Sequence, residues 1–209
     1  MSVLALSAGL VALSMQCAPT VAPGTLLTFA KAESGLDPLA LHDNSAGASL
    51  HAGTKDAAIV MASRLISAGH SVDIGALQIN SRNLAWLGMS LTQAFELCPS
   101  MRAGARVLHA AFDPCVDAGG EAQHCLAVAA SQYNTGSQSR GFSNGYVTRI
   151  AETAEHFIPE LRVAGALPQP LPAQPPVPPS PPPCAPPWDG WALAACSTAA
   201  TPPSPEPQK

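Results

Sequence analysis

The chain has 209 residues, a net charge of −4 and a pI near 5.8. Its ten lysines and arginines are scattered singly, so it lacks the basic patch that nucleic-acid binding requires. Of its 22 prolines, 16 lie between Pro168 and Pro207, which leaves the apolar-rich stretch before them as the part able to bury a core.

Residues 3–14 form a short apolar run with no charge of either sign before Lys31. The run is too short to span a bilayer and lacks a basic leader. Residues 1–16 are therefore either an atypical export signal or an N-terminal helix. Pro19, Pro23 and Gly24 then break the chain, and Pro23 suits the first position of the next helix.

That helix ends in Phe29-Ala30-Lys31-Ala32-Glu33-Ser34-Gly35, with Gly35 as its stop and Pro38 barring its continuation. Steps of three and four put Glu33 on one face with Ala30, Phe29 and Leu26. A carboxylate on an apolar face is disfavoured by burial and by the unpaired carbonyls of the last helical turn, so its pKa should be raised. A general acid needs that property.

Residues 38–53 have loop composition, including His42 and His51, which lack the fixed spacing of a metal site. Thr54 can cap a helix from Lys55 to about Ala68 with Ile59, Ala62, Leu65 and Ile66 inward. In Asp73-Ile74-Gly75-Ala76-Leu77-Gln78-Ile79-Asn80 the alternation is too brief to assign a strand. The glycine there suggests close approach of another group, and Gln78 or Asn80 offers both amide donor and carbonyl acceptor.

Ser90 and Gln93 make a capping box for a short helix ending near Cys98-Pro99, and Ser100 can cap the next, which runs to about Phe112. Asp113–Gly120 is expected as a loop, Glu121 to Tyr133 as a helix stopped by Asn134-Thr135-Gly136, and Ser143 as the start of a last helix ending before Pro159. Helix dominates.

Six cysteines without a C-x-x-C pair suit disulfides in an oxidising compartment. Cys115 and Cys125, ten positions apart across the expected loop, are proposed to pair, leaving Cys17 and Cys98 to tether the N-terminus. Cys184 and Cys196 either close a loop around Trp188 and Trp191, stay free, or pair between chains. The proline-rich span from Pro168 to Pro187 reads as extended chain, a spacer or docking segment or else a disordered tail without a partner.

Four stretches stand in order: Glu33-Ser34-Gly35, Asp73 to Asn80, Ala130-Ser131-Gln132-Tyr133-Asn134-Thr135-Gly136, and Tyr146. Together they resemble the lytic transglycosylases of the goose-lysozyme-like superfamily. The nearest likeness is to the peptidoglycan-cleaving component of bacterial type IV secretion and conjugation systems, which also shares the Cys17-Ala18-Pro19 start. The sequence departs from the family pattern at Ala76-Leu77 and Ser131-Gln132.

The resemblance implies a mostly α, lysozyme-like domain over residues 17–162; composition gives residues 163–209 as a proline-rich tail expected to be disordered. It implies Glu33 as the sole catalytic acid and base, and Ser34, Gln78, Asn80, Tyr133, Asn134 and Tyr146 as residues around the substrate. No cofactor and no metal are implied. The expected substrate is the glycan strand of peptidoglycan, cut in the periplasm with an anhydromuramoyl product. The tail would meet secretion components. The rivals are a hydrolase of the same fold using Asp73 as a second carboxylate and a non-catalytic glycan-binding assembly protein.

Overall fold

The computed structural model describes residues 3–170, with side chains from residue 7. The proline-rich segment with Cys184 and Cys196 lies outside these residues.

Helix α2 (Pro23–Ser34) is central. Pro23 occupies its first turn, Leu26, Leu27, Phe29 and Ala30 are buried, and Gly35 ends it in the left-handed region at φ 69°. The Gly35 N–H donates to the Lys31 carbonyl and the Leu36 N–H to that of Ala30, which satisfies carbonyls the helix end would leave unpaired. Helix α1 (Val3–Cys17) packs on α2 and on the later helix α6 (Leu97–Asp117) and buries Val11, Ser14 and Cys17.

A four-stranded antiparallel sheet follows, in the order β2-β1-β3-β4: β1 (Ala40–Asp43), β2 (Ala48–His51), β3 (Val72–Ile74) and β4 (Ile79–Asn80). The expected 38–53 loop is therefore a hairpin. Its strands are four residues each, and what holds them is distant in sequence. Leu41 pairs with Ile74, and the Asp43 carboxylate accepts from the Ser45 and Ala46 backbone and from the His70 ring at 2.7 Å. That hydrogen bond from His70 leads in holding Asp43 below its ordinary pKa. His42 bonds Ser49, and His51 meets Asp37 at 2.7 Å.

Helix α3 (Lys55–Ser67) is capped by Thr54, whose hydroxyl accepts from the Ala57 N–H, as expected. It covers the sheet through a small core of Leu41, Ala58, Ala62, Val72, Ile74, Ala94 and Phe95. A 3-10 turn (Ser81–Asn83) and α4 (Leu84–Leu87) lead to α5 (Leu91–Ala94), where the Ser90/Gln93 capping box is formed.

Helix α6 (Leu97–Asp117) differs from the expectation at both ends. It starts before Ser100, which is fully buried inside the helix and not a cap. Pro99 is tolerated because a first-turn N–H has no helical partner. The helix also runs through Pro114 into the expected loop, so Cys115 sits in its last turns. Both proposed disulfides are present, Cys17–Cys98 and Cys115–Cys125. Helix α7 (Ala122–Thr135) ends at Gly136 as expected.

Ser143 closes the short α8 (Arg140–Ser143), and α9 (Tyr146–Val163) begins three residues later, after Gly145 at φ 81°. It continues through Pro159, at the cost of one helical hydrogen bond. Tyr146, Ile150, Phe157 and Leu161 face the main core, with Leu26, Leu27, Phe29, Met101, Leu108 and Ala129. No helix among the described residues is long and apolar enough to cross a membrane.

Candidate functional site

A polar cleft of about 520 Å³ lies where the end of α2, the sheet and α7 meet. Glu33, Asp73, Gln78, Asn80, Tyr133 and Asn134 all border it. The four sequence stretches thus converge on one place. Tyr146 reaches it from the first residue of α9, through its contact with Glu33.

Burial is the leading cause that raises the Glu33 pKa above its ordinary value of 4.5. The Tyr146 hydroxyl donates a hydrogen bond to Glu33 Oε1 and opposes that rise, as does the positive charge of Arg149; the charge of Asp73 adds to it. Tyr146 is itself 3% exposed, with the Arg149 guanidinium 4.9 Å from its ring centre. Its hydroxyl is pushed far above the ordinary value, first by burial and then by the Glu33 charge, so it stays a donor. With Oε1 accepting from Tyr146, a proton on the carboxyl belongs on Oε2.

The turn over residues 75–78 forms the wall beside Glu33, and its backbone is unusual at both ends. Gly75 has φ 74°, and a Cβ there would lie 2.3 Å from the Ala94 carbonyl oxygen. The close approach expected at this glycine is thus made by the protein's own backbone. Gln78 has φ 46°, a costly conformation for a non-glycine residue.

Three side chains brace this turn. Ser34 donates to the Ala76 carbonyl at 2.8 Å, Tyr133 to that of Leu77 at 2.6 Å, and the Gln78 amide to those of Gly75 and Ala40 at 2.9 and 3.3 Å. The Tyr133 ring also packs on Phe29 at 5.2 Å. Burial raises the Tyr133 pKa, which keeps its hydroxyl protonated. The Ala76-Leu77 departure is accommodated by Gly104 of α6, where a Cβ would lie 2.8 Å from Leu77 Cδ1.

Asn80 is similarly committed. Its side-chain oxygen accepts from the Arg82 N–H at 3.0 Å, which fixes the amide orientation. Its nitrogen then donates to Asp73 Oδ1 at 2.6 Å and to Ser71 Oγ at 2.9 Å. Asn44 donates to Asp73 Oδ2 at 2.8 Å. Both oxygens of Asp73 are thus held by side-chain amides of the frame. Burial nevertheless leads in raising its pKa.

Of the sequence-predicted site residues other than Glu33, two present a side-chain group to a ligand. Gln78 has its side-chain carbonyl oxygen, because its nitrogen is occupied. Asn134 has its amide nitrogen: Asn144 Oδ1 accepts from the Tyr146 N–H, so Asn144 Nδ2 must donate to Asn134 Oδ1, at 3.1 Å. The site therefore offers an acceptor and a donor beside a carboxyl whose pKa burial raises. Such an arrangement can give a proton to a neutral polar ligand and take one back.

Sequence reasoning missed Asn44, Ser71, Arg82, Trp86 and Gln132, which also line the cleft. Asn44 comes from the 38–53 stretch read as loop, and Ser71 from the segment just before Asp73. They meet through the Asn44 N–H bond to the Ser71 carbonyl, a pairing that local pattern does not reveal. Trp86, two residues before Gly88, is 47% exposed. Ser131 is instead a structural knot. It donates to the Ser137 carbonyl and accepts from the Gly141 N–H, in a contact too close for any side chain at Gly141.

Residues 11–154 match the family described as the Transglycosylase SLT domain. The chain is 43% identical over 150 residues to "Protein virB1" of Rhizobium radiobacter, covering 70% of this chain and 61% of that protein. It is 37% identical over 180 residues to "Protein virB1" of Agrobacterium fabrum, covering 84% and 67%. It is 32% identical over 149 residues to "Type IV secretion system protein virB1" of Brucella abortus biovar 1, covering 68% and 63%. The match spans about three-fifths of the length of the first of these relatives. No solved structure matches at a significant level.

Proposed function

Because the chain belongs to the transglycosylase SLT domain family, we propose that it is a lytic transglycosylase. On this reading it cuts the peptidoglycan glycan strand between N-acetylmuramic acid and N-acetylglucosamine. The observation that carries the proposal is Glu33: a carboxyl with a raised pKa, oriented by Tyr146 at the wall of a polar cleft.

The neutral carboxyl of Glu33 donates its proton to the glycosidic oxygen as the bond from the muramoyl C1 to that oxygen breaks. The positive charge left on the muramoyl ring is stabilised by the carbonyl oxygen of its own acetamido group. Deprotonated Glu33 then accepts the proton of the muramoyl primary hydroxyl as that oxygen bonds to C1. The anhydro ring closes, Glu33 regains its proton, and no water is consumed. The Gln78 carbonyl and the Asn134 amide suit an acceptor and donor for sugar hydroxyl and acetamido groups, and Trp86 offers an exposed ring face to a sugar. Ser34, Asn80 and Tyr133 support this site by holding its walls.

Helix α1 belongs to the folded domain on this reading, since Val11 and Ser14 are buried and the family match begins at residue 11. Two disulfides favour an exported, periplasmic protein. Similarity to the virB1 proteins supports work beside a type IV secretion apparatus, with the proline-rich segment from residue 163 onward as the candidate contact. Mass spectrometry of digested sacculi tests the activity. Anhydromuramoyl ends made by the wild type and absent with Glu33→Gln are expected, whereas undigested sacculi or purely reducing ends would overturn it.

A further inference from the structure

A second groove, of about 760 Å³, adjoins the candidate cleft between the end of α1 and α6. Its polar lining comprises Gln16, Thr20, Arg102, Arg106, His109 and Asp113. Ala110 borders both concavities. Arg106 joins them as well. Its guanidinium donates to the carbonyls of Leu87 at 2.8 Å and Trp86 at 3.3 Å and lies 5.4 Å from the ring centre of Trp86, which lines the cleft.

The groove carries two guanidinium groups against one carboxylate. Arg102 lies one turn before Arg106 on α6, is exposed, and donates to the Cys98 sulfur at 3.7 Å. Among the described residues neither arginine has a carboxylate within ion-pair distance. The groove's one acid, Asp113, is engaged by the His109 ring at 2.8 Å. Two guanidinium groups on a wall that also carries Ala18, Pro19 and Ala105 match a peptide bearing free carboxylates.

We propose that this groove receives the carboxylate-bearing peptide branches of the same glycan strand whose sugars lie in the cleft. For the identity of the strand the proposal rests on the glycan-cleaving reading above. A strand laid across Trp86 would pass beside Arg106, and a branch on the sugar there could enter the groove that meets the cleft at Ala110. The chain then distinguishes branched from bare glycan by charge, and since both arginines are solvent-exposed the gain is a modest factor that salt reduces.

The test uses the full chain carrying Glu33→Gln and two purified glycan fragments of equal length, one with its peptides and one stripped of them. At low salt the branched fragment should bind about tenfold more tightly. The gap should narrow as salt is raised, and Arg102→Glu should close most of it. Equal affinity for the two fragments, or an equal loss for both on Arg102→Glu, overturns the proposal. So does an isolated acidic peptide that binds as tightly as the branched fragment, which would assign the groove to a protein segment. Cleavage of both fragments by the wild type is followed in parallel. If it cuts neither, the glycan-cleaving reading fails by itself while the binding comparison still decides the groove.

Discussion

At Glu33 two opposed effects set the proton. Burial raises the pKa, while the Tyr146 hydrogen bond and the Arg149 charge restrain the rise. On the proposed mechanism cleavage needs the protonated acid, so the rate should fall as pH rises through the raised pKa. Removing the hydroxyl with Tyr146→Phe deletes a lowering influence and frees Oε1. The falling limb should therefore move to higher pH, with a loss of about tenfold or more in kcat; an unmoved limb would deny Tyr146 its role in tuning the acid.

The same carboxyl has a stability signature. Its folded pKa lies above the ordinary 4.5, so the folded state binds more protons than the unfolded one between those values, and stability is lost as pH rises through that window. Glu33→Gln lacks this loss. The variant should therefore melt higher than the wild type at neutral pH, with the difference shrinking below about pH 4, as thermal unfolding across pH will reveal. The burial of Glu33 was legible from its spacing with Leu26, Phe29 and Ala30. Its link to Tyr146, 113 positions away, followed from no local pattern and entered through the family resemblance.

Among the elements, the turn from Gly75 to Gln78 decides whether the cleft has a wall. An alanine at Gly75 would face both a positive φ and the Ala94 carbonyl, so Gly75→Ala should destabilise by about 2 kcal/mol or more. Gly53→Ala, at a position with open space and no positive φ, should stay within about 0.5 kcal/mol. Urea unfolding of the pair checks this. The helices were legible because their caps are local: Pro23 and Gly35, Thr54, Ser90 with Gln93, and Gly136. The hairpin was not, since its strands depend on β3 and on the Asp43–His70 contact, 27 positions apart. The ends of α6 were misread because Pro99 and Pro114 usually mark boundaries, yet one sits in the first turn and packing carries the helix past the other.

For the molecule as a whole, the two disulfides divide the work unequally. Cys17–Cys98 spans 81 positions and ties α1 to α6, whereas Cys115–Cys125 spans 10. Chain entropy then predicts a loss of about 4–5 kcal/mol for removing the first and about 2–3 kcal/mol for the second. Denaturation of the two paired Cys→Ser variants should rank them in that order, and the reverse ranking would mean that α1 is held by its packing and not by the bridge. Cysteine spacing suggested both pairings. The neighbouring groove that α1 builds with α6 had no sequence signal, because it arises only when Arg102 and Arg106 are brought beside residues 16–20.

In the proposed mechanism one carboxyl, Glu33, passes a proton out and back without admitting water to the reaction. Digestion of sacculi in water enriched in heavy oxygen reads this directly. Cleaved muramoyl ends should carry no label and be lighter by one water than reducing ends. Label incorporated at the muramoyl C1 in the primary products would contradict it and point to a hydrolase.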